Sequence, residues 1–472
     1  MPTRNLLILV LLTVTSLVAW VAHGHGQRSR RIGEVLAVIE RSSLRPVASD
    51  ELETAALEAI VARLDEHSAI VDGTARRELE ATLDQQFGGV GLELMAAEGG
   101  IVVHAPIVGG PAWRAGIVAG ERIVAIDGAS TAGTSVRDAV ALLRGDVGSA
   151  VSVAVLAPAS GAGVEVGGGV DGLDVAAQPR VLRLVREIVR TESVLGDRRR
   201  PDGTWDWRLE GEPGVCLVRI TGFGERTPAE LDAALQAIAE MSDLRGLVID
   251  LRGNPGGLLT AAVEVCDRFL DDGLIVATRR RSGGAVEAVD PRRATAGQML
   301  AGVPIAVLID GLTASAAEIV AACLQDHGRA VVVGSRSFGK GTVQSIIPLS
   351  DGRRLLKLTT AEYRRPADAD EGQGDGPWGV TPDAGREIDV PAQARESLAG
   401  WRRLRDQPSP AADRPAAASA GDLPRRIDQV LATALAALPA PADLRGEKEA
   451  AGHADEPVGS GDAATTRDGG GR

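Results

Sequence analysis

Three segments in the second half of the chain carry the residue types that could do chemistry. The first, Arg252-Gly253-Asn254-Pro255-Gly256-Gly257, follows an apolar run and precedes a helical pattern. Its backbone amides could face an anion, and it reads equally well as a plain strand-to-helix turn. The second, Gly311-Leu312-Thr313-Ala314-Ser315-Ala316-Ala317-Glu318, sets a serine in a turn of small residues that opens a helix. A serine there sits at the positive end of the helix dipole, where a developing oxyanion is favoured; Thr313 or Ser315 could equally serve only as an N-cap. The third, Gly334-Ser335-Arg336-Ser337-Phe338-Gly339-Lys340-Gly341-Thr342, nearly matches the phosphate-binding pattern GxxxxGK[ST]. Gly341 stands where a magnesium-binding hydroxyl would have to follow Lys340. Val343 to Ile347 reads as a strand, so no helix dipole would face phosphates, and nucleotide binding is set aside.

A serine nucleophile needs a base. The six histidines are His23, His25, His67, His104, His327 and His453. Only His327 lies in this half, at the far end of the helix that Ser315 opens. About twelve helical residues span roughly 18 Å, so His327 cannot reach Ser315. A lysine can replace histidine where burial disfavours its ammonium form. Lys340, set between Gly339 and Gly341 beside Phe338 in a mainly apolar stretch, is the candidate.

Each of these segments directly follows a predicted strand. Val215 to Ile220, Leu244 to Leu251, Val303 to Asp310 and Ala330 to Gly334 read as strands; Thr227 to Met241, Leu258 to Leu270 and Ala314 to His327 read as helices. The alternation predicts a parallel sheet. Thr227, Pro228 and Glu230 predict an N-cap, a first-turn proline and a capping box. Ser350-Asp351-Gly352 between two short apolar runs predicts a hairpin.

The first half is organised differently. Residues 32 to 86 have helical periodicity, with apolar faces at Ile32, Val35, Leu36, Val38 and Ile39 and at Leu52, Ala55, Leu57, Ile60, Val61 and Leu64, and a third short helix at Glu78 to Gln85. This region carries no chemical motif and reads as a packing or dimerising element. From Phe87 the pattern is of short strands with two helices, a partly open barrel. Gly89-Val90-Gly91-Leu92 is a glycine turn before a strand, and would leave successive backbone N–H groups free as a nest for a carboxylate. Residues 157 to 180 read as an inserted loop before the closing strand Val181 to Val185. After about Trp401 the composition shifts to Pro, Ala, Gly and Asp; Ile427 to Leu438 reads as one helix and the final residues as disordered.

Composition bounds the rest. The formal net charge of −13 and 2% aromatic content oppose nucleic-acid binding. Three cysteines make no disulfide framework or zinc pattern. Only Leu6 to Ala22 approaches the length of a membrane span, which excludes a polytopic transporter. It reads as a secretory signal or a single anchor, with the bulk of the chain exported.

Together these segments resemble a known family. The order of pieces from Phe87 to Val185 resembles a PDZ domain. Leu251 to Leu258 (LRGNPGGL), Thr313 to Ile319 (TASAAEI), Gln325 to Arg329 (QDHGR), Ser337 to Gln344 (SFGKGTVQ) and Gly379 to Asp383 (GVTPD) resemble the carboxy-terminal processing, or tail-specific, serine peptidases. The resemblance covers about residues 35 to 395. It implies a multidomain α/β chain: a signal or anchor at 1–31, a helical region at 32–86, a PDZ domain at 87–190, a crotonase-like βα superhelical core at 191–400 and a tail at 401–472. It implies Ser315 as nucleophile, Lys340 as general base, Gln344 as the residue orienting the lysine and Asp326 as a supporting acid. Oxyanion donors would be the N–H of Ala316 and of Gly256 or Gly257. Gly89, Val90, Gly91 and Leu92 would bind a substrate's C-terminal carboxylate, the peptide adding as a strand beside Leu92 to Met95. No metal or cofactor is needed. The partners are polypeptides with free C-termini, not nucleic acid. The place expected is periplasmic, or anchored to the cytoplasmic membrane facing outward, and a homo-oligomer is compatible with the sequence. An acidic, Gly-rich stretch at 366–377 and Ala317 in place of a commoner serine depart from the family pattern. Two other readings stand beside this one: a PDZ binding protein with a dead core, and a crotonase-type acyl-CoA enzyme.

Overall fold

The computed structural model describes residues 30–45, 47–157, 178–282, 285–369, 378–408 and 428–438. Leu6 to Ala22, most of the 157–180 loop, residues 370–377 and most of the tail lie outside the described residues. Among the described residues no helix is long and apolar enough to cross a membrane. The chain forms two compact units, Met1–Arg77 with Val343–Ala361, and Glu78–Thr342 with Glu362–Arg472.

In the first unit, helices span 30–42 and Ser49–Val61, as the helical periodicity predicts, but of the expected apolar faces only Val61 is buried, and Ile32, Val35, Val38 and Ile60 are exposed. The region is not all helical, however: Ala69–Val71 is a strand, paired antiparallel with Leu355 to Lys357. The Asp65 carboxylate shapes this corner, accepting from the amides of His67 and Ser68, both at 2.8 Å, and from Thr359 Oγ1 at 3.0 Å. The predicted hairpin is present, with the hydroxyls of Ser345 and Thr360 meeting across it at 2.7 Å.

In the second unit, the PDZ-like part is a six-stranded sheet. Leu92–Ala97 lies at one edge, followed by Gly100–Pro106, Arg122–Ile126, Ala150–Leu156 and Arg180–Val185, with Ala129–Ser130 paired to the third. Alternate side chains, among them Ile101, Val103, Ile123, Val151 and Val153, fill one core. The peptidase-like part is a five-stranded sheet in the order Val194–Leu195, Val215–Ile220, Gly246–Asp250, Ile305–Ile309, Ala330–Gly334. The last four run parallel. Every residue of the middle three strands is buried, which explains their nearly unbroken apolar sequence. The C-terminal helix Gln429–Ala437 closes one face, its Val430, Leu431 and Ala434 packing with Leu217, Val248 and Leu308.

Two expectations change, and one element is new. The helix Thr227–Ala239 has no side-chain cap at its start. Thr227 Oγ1 accepts from Gly224 N at 2.9 Å, and Glu230 turns outward to take Ser193 N at 2.8 Å. A tertiary partner thus displaces the capping box. Leu274–Ser282 and Ala285–Arg293 form an antiparallel hairpin that the sequence hid, because Arg279 to Arg281 give it no one-sided apolar alternation. The helix Ala392–Arg405 runs straight through the composition change at Trp401.

Candidate active site

Strand Ile305–Ile309 ends in a turn held by a network of hydrogen bonds. Asp310 Oδ1 accepts from Leu312 N at 3.0 Å and from Gly253 N at 2.9 Å. The buried Thr313 hydroxyl accepts from Asp310 N and donates to Leu251 O, both at 2.9 Å. Ala314 N donates to Asn254 O at 2.9 Å. The serine turn and the first glycine segment are therefore locked together. At the summit Ser315 adopts φ +56°, ψ −117°, a conformation that L-residues avoid and that persists only where the surroundings impose it. Ser315 is also the N-cap of helix Ala316–Asp326, so the capping and nucleophile readings fall on one residue.

The group that imposes this geometry is Glu318, fully buried in the first turn of the same helix. Its Oε2 accepts from Ser315 N at 2.6 Å and from Lys340 N at 2.9 Å. Its Oε1 accepts from Ser337 Oγ at 2.6 Å and Gly339 N at 2.7 Å. One carboxylate thus joins the turn bearing Ser315 to the loop bearing Lys340, through charge-assisted bonds. Sequence reasoning quoted this glutamate inside a motif without giving it a role.

The Lys340 loop is packed as tightly. A Cβ on Gly341 would come within 2.6 Å of Trp378 Cβ, and one on Gly339 within 2.9 Å of Trp378 O. Gly339 has φ +91°, so glycine is required there on both grounds. Tyr363 N donates to Gly341 O at 2.8 Å, and the Tyr363 ring lies 5.5 Å from that of Trp378. The Tyr363 phenol hydrogen-bonds the Ser315 side chain; burial pushes its pKa up, and that bond opposes the shift. Tyr363 is the chain's single tyrosine, and nothing in the sequence alone pointed it at Ser315.

The expected oxyanion donors divide. Gly256 N is committed to Asn254 Oδ1 at 2.8 Å, so Gly256 is not a free donor. Its part is spatial: a Cβ there would stand 2.8 Å from Ser315 Cβ and 2.9 Å from Ala316 N. The amides of Gly257 and Ala316 have no acceptor among the described residues. Asp326 lies at the opposite end of the Ser315 helix, where it takes the Arg365 guanidinium and Ala367 N. It anchors the chain just after Tyr363 and is not beside Ser315. His327 caps that same far end, its Nε2 2.7 Å from Leu274 O. Gln344 belongs to the first unit, where its Nε2 donates to Thr359 Oγ1 at 3.4 Å. Among the described residues no group of three or more His, Cys, Asp or Glu is arranged to hold a metal.

In the PDZ-like part, Gly91 has φ +74°, and the amides of Val90 and Gly91 have no acceptor among the described residues. Val90 O accepts from Ala112 N and Gly91 O from Ile107 N, both at 2.9 Å; the first bond turns the Gly91 N–H, which shares a peptide plane with Val90 O, the other way. The adjoining strand Leu92–Ala97 is a sheet edge, packed against helix Val136–Leu143.

The chain is similar to proteins of known family. The profile of peptidase family S41 matches residues 214–385, and that of the PDZ domain residues 102–156. A carboxy-terminal-processing protease of Bartonella bacilliformis is 35% identical over 75% of this chain and 74% of its own length. A carboxyl-terminal-processing protease of Picosynechococcus is 32% identical over 68% of this chain and 71% of its own. The solved structure of a photosystem II D1 C-terminal processing protease aligns with 80% of this chain and 96% of its own, at 28% identity and a TM-score of 0.41.

Proposed function

Because the chain belongs to peptidase family S41 and is a serine-type carboxy-terminal processing peptidase, we propose that it works outside the cytoplasmic membrane and cuts polypeptides with a Ser315–Lys340 dyad. Ser315 attacks the peptide carbonyl, and the unprotonated amine of Lys340 takes its proton. The N–H groups of Ala316 and Gly257 hold the tetrahedral oxyanion. Lysine returns the proton to the leaving amine, and water then resolves the acyl-enzyme. Gln344 orients the lysine. The Val90–Gly91 amides take the substrate's terminal carboxylate, its last residues adding to the edge strand Leu92–Ala97. Leu6 to Ala22 supplies export or anchoring.

The observation that carries this reading is the shared Glu318 carboxylate, one oxygen of which accepts from the amides of both Ser315 and Lys340. The test is incubation of unstructured proteins with the wild type and with Ser315→Ala, and mass spectrometry of the fragments. Cleavage is expected from the wild type alone. Equal cleavage by the variant removes Ser315 from the mechanism.

A further inference from the structure

Beside the Gly253 turn, at the carboxyl end of the parallel sheet, is a cavity of about 430 Å³. Ile220, Ile309, Ile388 and Leu398 give it a largely apolar wall, and Arg402 of helix Ala392–Arg405 lines it as well. Arg402 is only 7% exposed. Its Nη1 lies 3.2 Å from Asp197 Oδ1, and its Cζ sits 4.8 Å from the centre of the Trp401 ring. Its Nε and Nη2 are buried with no acceptor among the described residues. An aromatic face attracts the cation but accepts nothing from the N–H groups on its edge. Both Asp197 oxygens are already engaged, Oδ1 by Arg402 Nη1 and Oδ2 by Arg405.

Those two nitrogens form the edge of a guanidinium that grips a carboxylate with two parallel bonds. This chain uses the same edge elsewhere: Arg268 sets Nε and Nη2 on the oxygens of Asp232 at 2.6 and 3.0 Å, and Arg365 does so on Asp326. The other buried arginines at the cavity are already engaged, Arg219 by Asp406 and Arg252 by Asp250 and Asp428. We propose that the cavity binds an apolar carboxylate, its two oxygens on the Nε and Nη2 of Arg402 and its hydrocarbon body against Ile220, Ile309, Ile388 and Leu398. Burial, and next the charge of Arg219, hold the Arg402 pKa down to about 10; a bound anion offsets both effects. The same chemistry is offered by a free fatty acid and by a peptide ending in an aliphatic residue.

Calorimetric titration of the full chain, carrying Ser315→Ala to prevent turnover, tests the site with decanoate and, as the uncharged control, decanol. Decanoate is expected to bind at least tenfold more tightly than decanol. Arg402→Met, which removes the fork, and Leu398→Phe, which fills the cavity, are each expected to weaken decanoate at least tenfold. A leucine-terminated peptide that displaces decanoate makes peptide ends the source, and one that does not leaves the free acid; either result supports the site. Equal affinities for decanoate and decanol, or equal decanoate affinities of the parent and Leu398→Phe, overturn it. Leu398→Phe leaves the Arg402–Asp197 pair in place and decides the matter should Arg402→Met not fold.

Discussion

The turn that carries Ser315 and the turn that carries Gly91 both depend on glycine geometry beside a strand, yet they are built in opposite ways. Around Ser315 most polar groups are engaged, by Asp310, Thr313, Asn254 and Glu318. Around Gly91 the carbonyls are held and two successive N–H groups are left open. A strained nucleophile must be over-determined, because its conformation relaxes if any support is lost. A recognition turn must keep its donors unspent until the ligand comes. Around Ser315 the N–H groups of Ala316 and Gly257 are left open among the described residues, held in place by engaged neighbours; around Gly91 the open donors belong to the turn itself.

The sharpest way to break this contrast is to remove the reacting groups. Ser315→Ala and Lys340→Ala are each expected to lower kcat/KM by about 10³-fold or more, with the double variant little worse, because the two residues act as a unit. Additive losses in the double variant would mean that they act separately.

Next is Glu318. Glu318→Ala leaves the donors of Ser315, Ser337, Gly339 and Lys340 without an acceptor. Each buried unsatisfied donor costs about 1–3 kcal/mol, so a fall in Tm of several degrees or more is expected. Single-turnover rates should fall by about tenfold or more. Glu318→Gln, which keeps the size but turns an NH₂ toward those donors, should fold better than the alanine variant and still be slow. A wild-type melting curve and rate for Glu318→Ala would show that the turn holds itself.

The open turn makes a smaller demand. A substrate ending in a free carboxylate is expected to bind about tenfold more tightly than its amide, the loss of even one charge-assisted bond being worth about 1.5–3 kcal/mol. The difference should appear mainly in KM. Gly91→Val, strained at φ +74°, should erase it without touching the chemical step. Identical kinetics for acid and amide across several peptides would exclude the turn from selection.

The smallest effect is at Tyr363. Tyr363→Phe removes one hydrogen bond from Ser315 and is expected to cost about two- to tenfold in kcat. Absorbance titration of the wild type follows this one phenol alone. Its midpoint should lie above the ordinary value of 10.0, and Ser315→Ala should raise it further, because the bond to Ser315 lowers it. With the folded pKa raised, the unfolded chain releases its proton first. Tyr363 therefore stabilises the fold below pH 10 or so, and that stability is lost as pH climbs through the folded value. A midpoint at or below that of free tyrosine would place the phenol in solvent.

What the amino-acid sequence determined by itself was whatever short-range pattern encodes. Strands such as Gly246–Asp250 and Ile305–Ile309 are buried along their whole length and so read as apolar runs. Small residues before a helix marked the Ser315 turn, and the motifs around Ser315, Lys340 and Gly257 named the family. Tertiary structure alone decided which distant groups meet. Glu318 reads as an ordinary first-turn acid until the Gly339–Lys340 amides arrive at it. Gly256 and Gly257 are indistinguishable until Asn254 takes one amide. Glu230 forms no capping box because Ser193 competes for it, and Arg402 is a surface-like residue of a polar helix until the sheet buries it. Periodicity and turn chemistry are properties of neighbours along the chain. A hydrogen bond between remote segments depends on where several strands and helices have already been placed, and no local pattern carries that information.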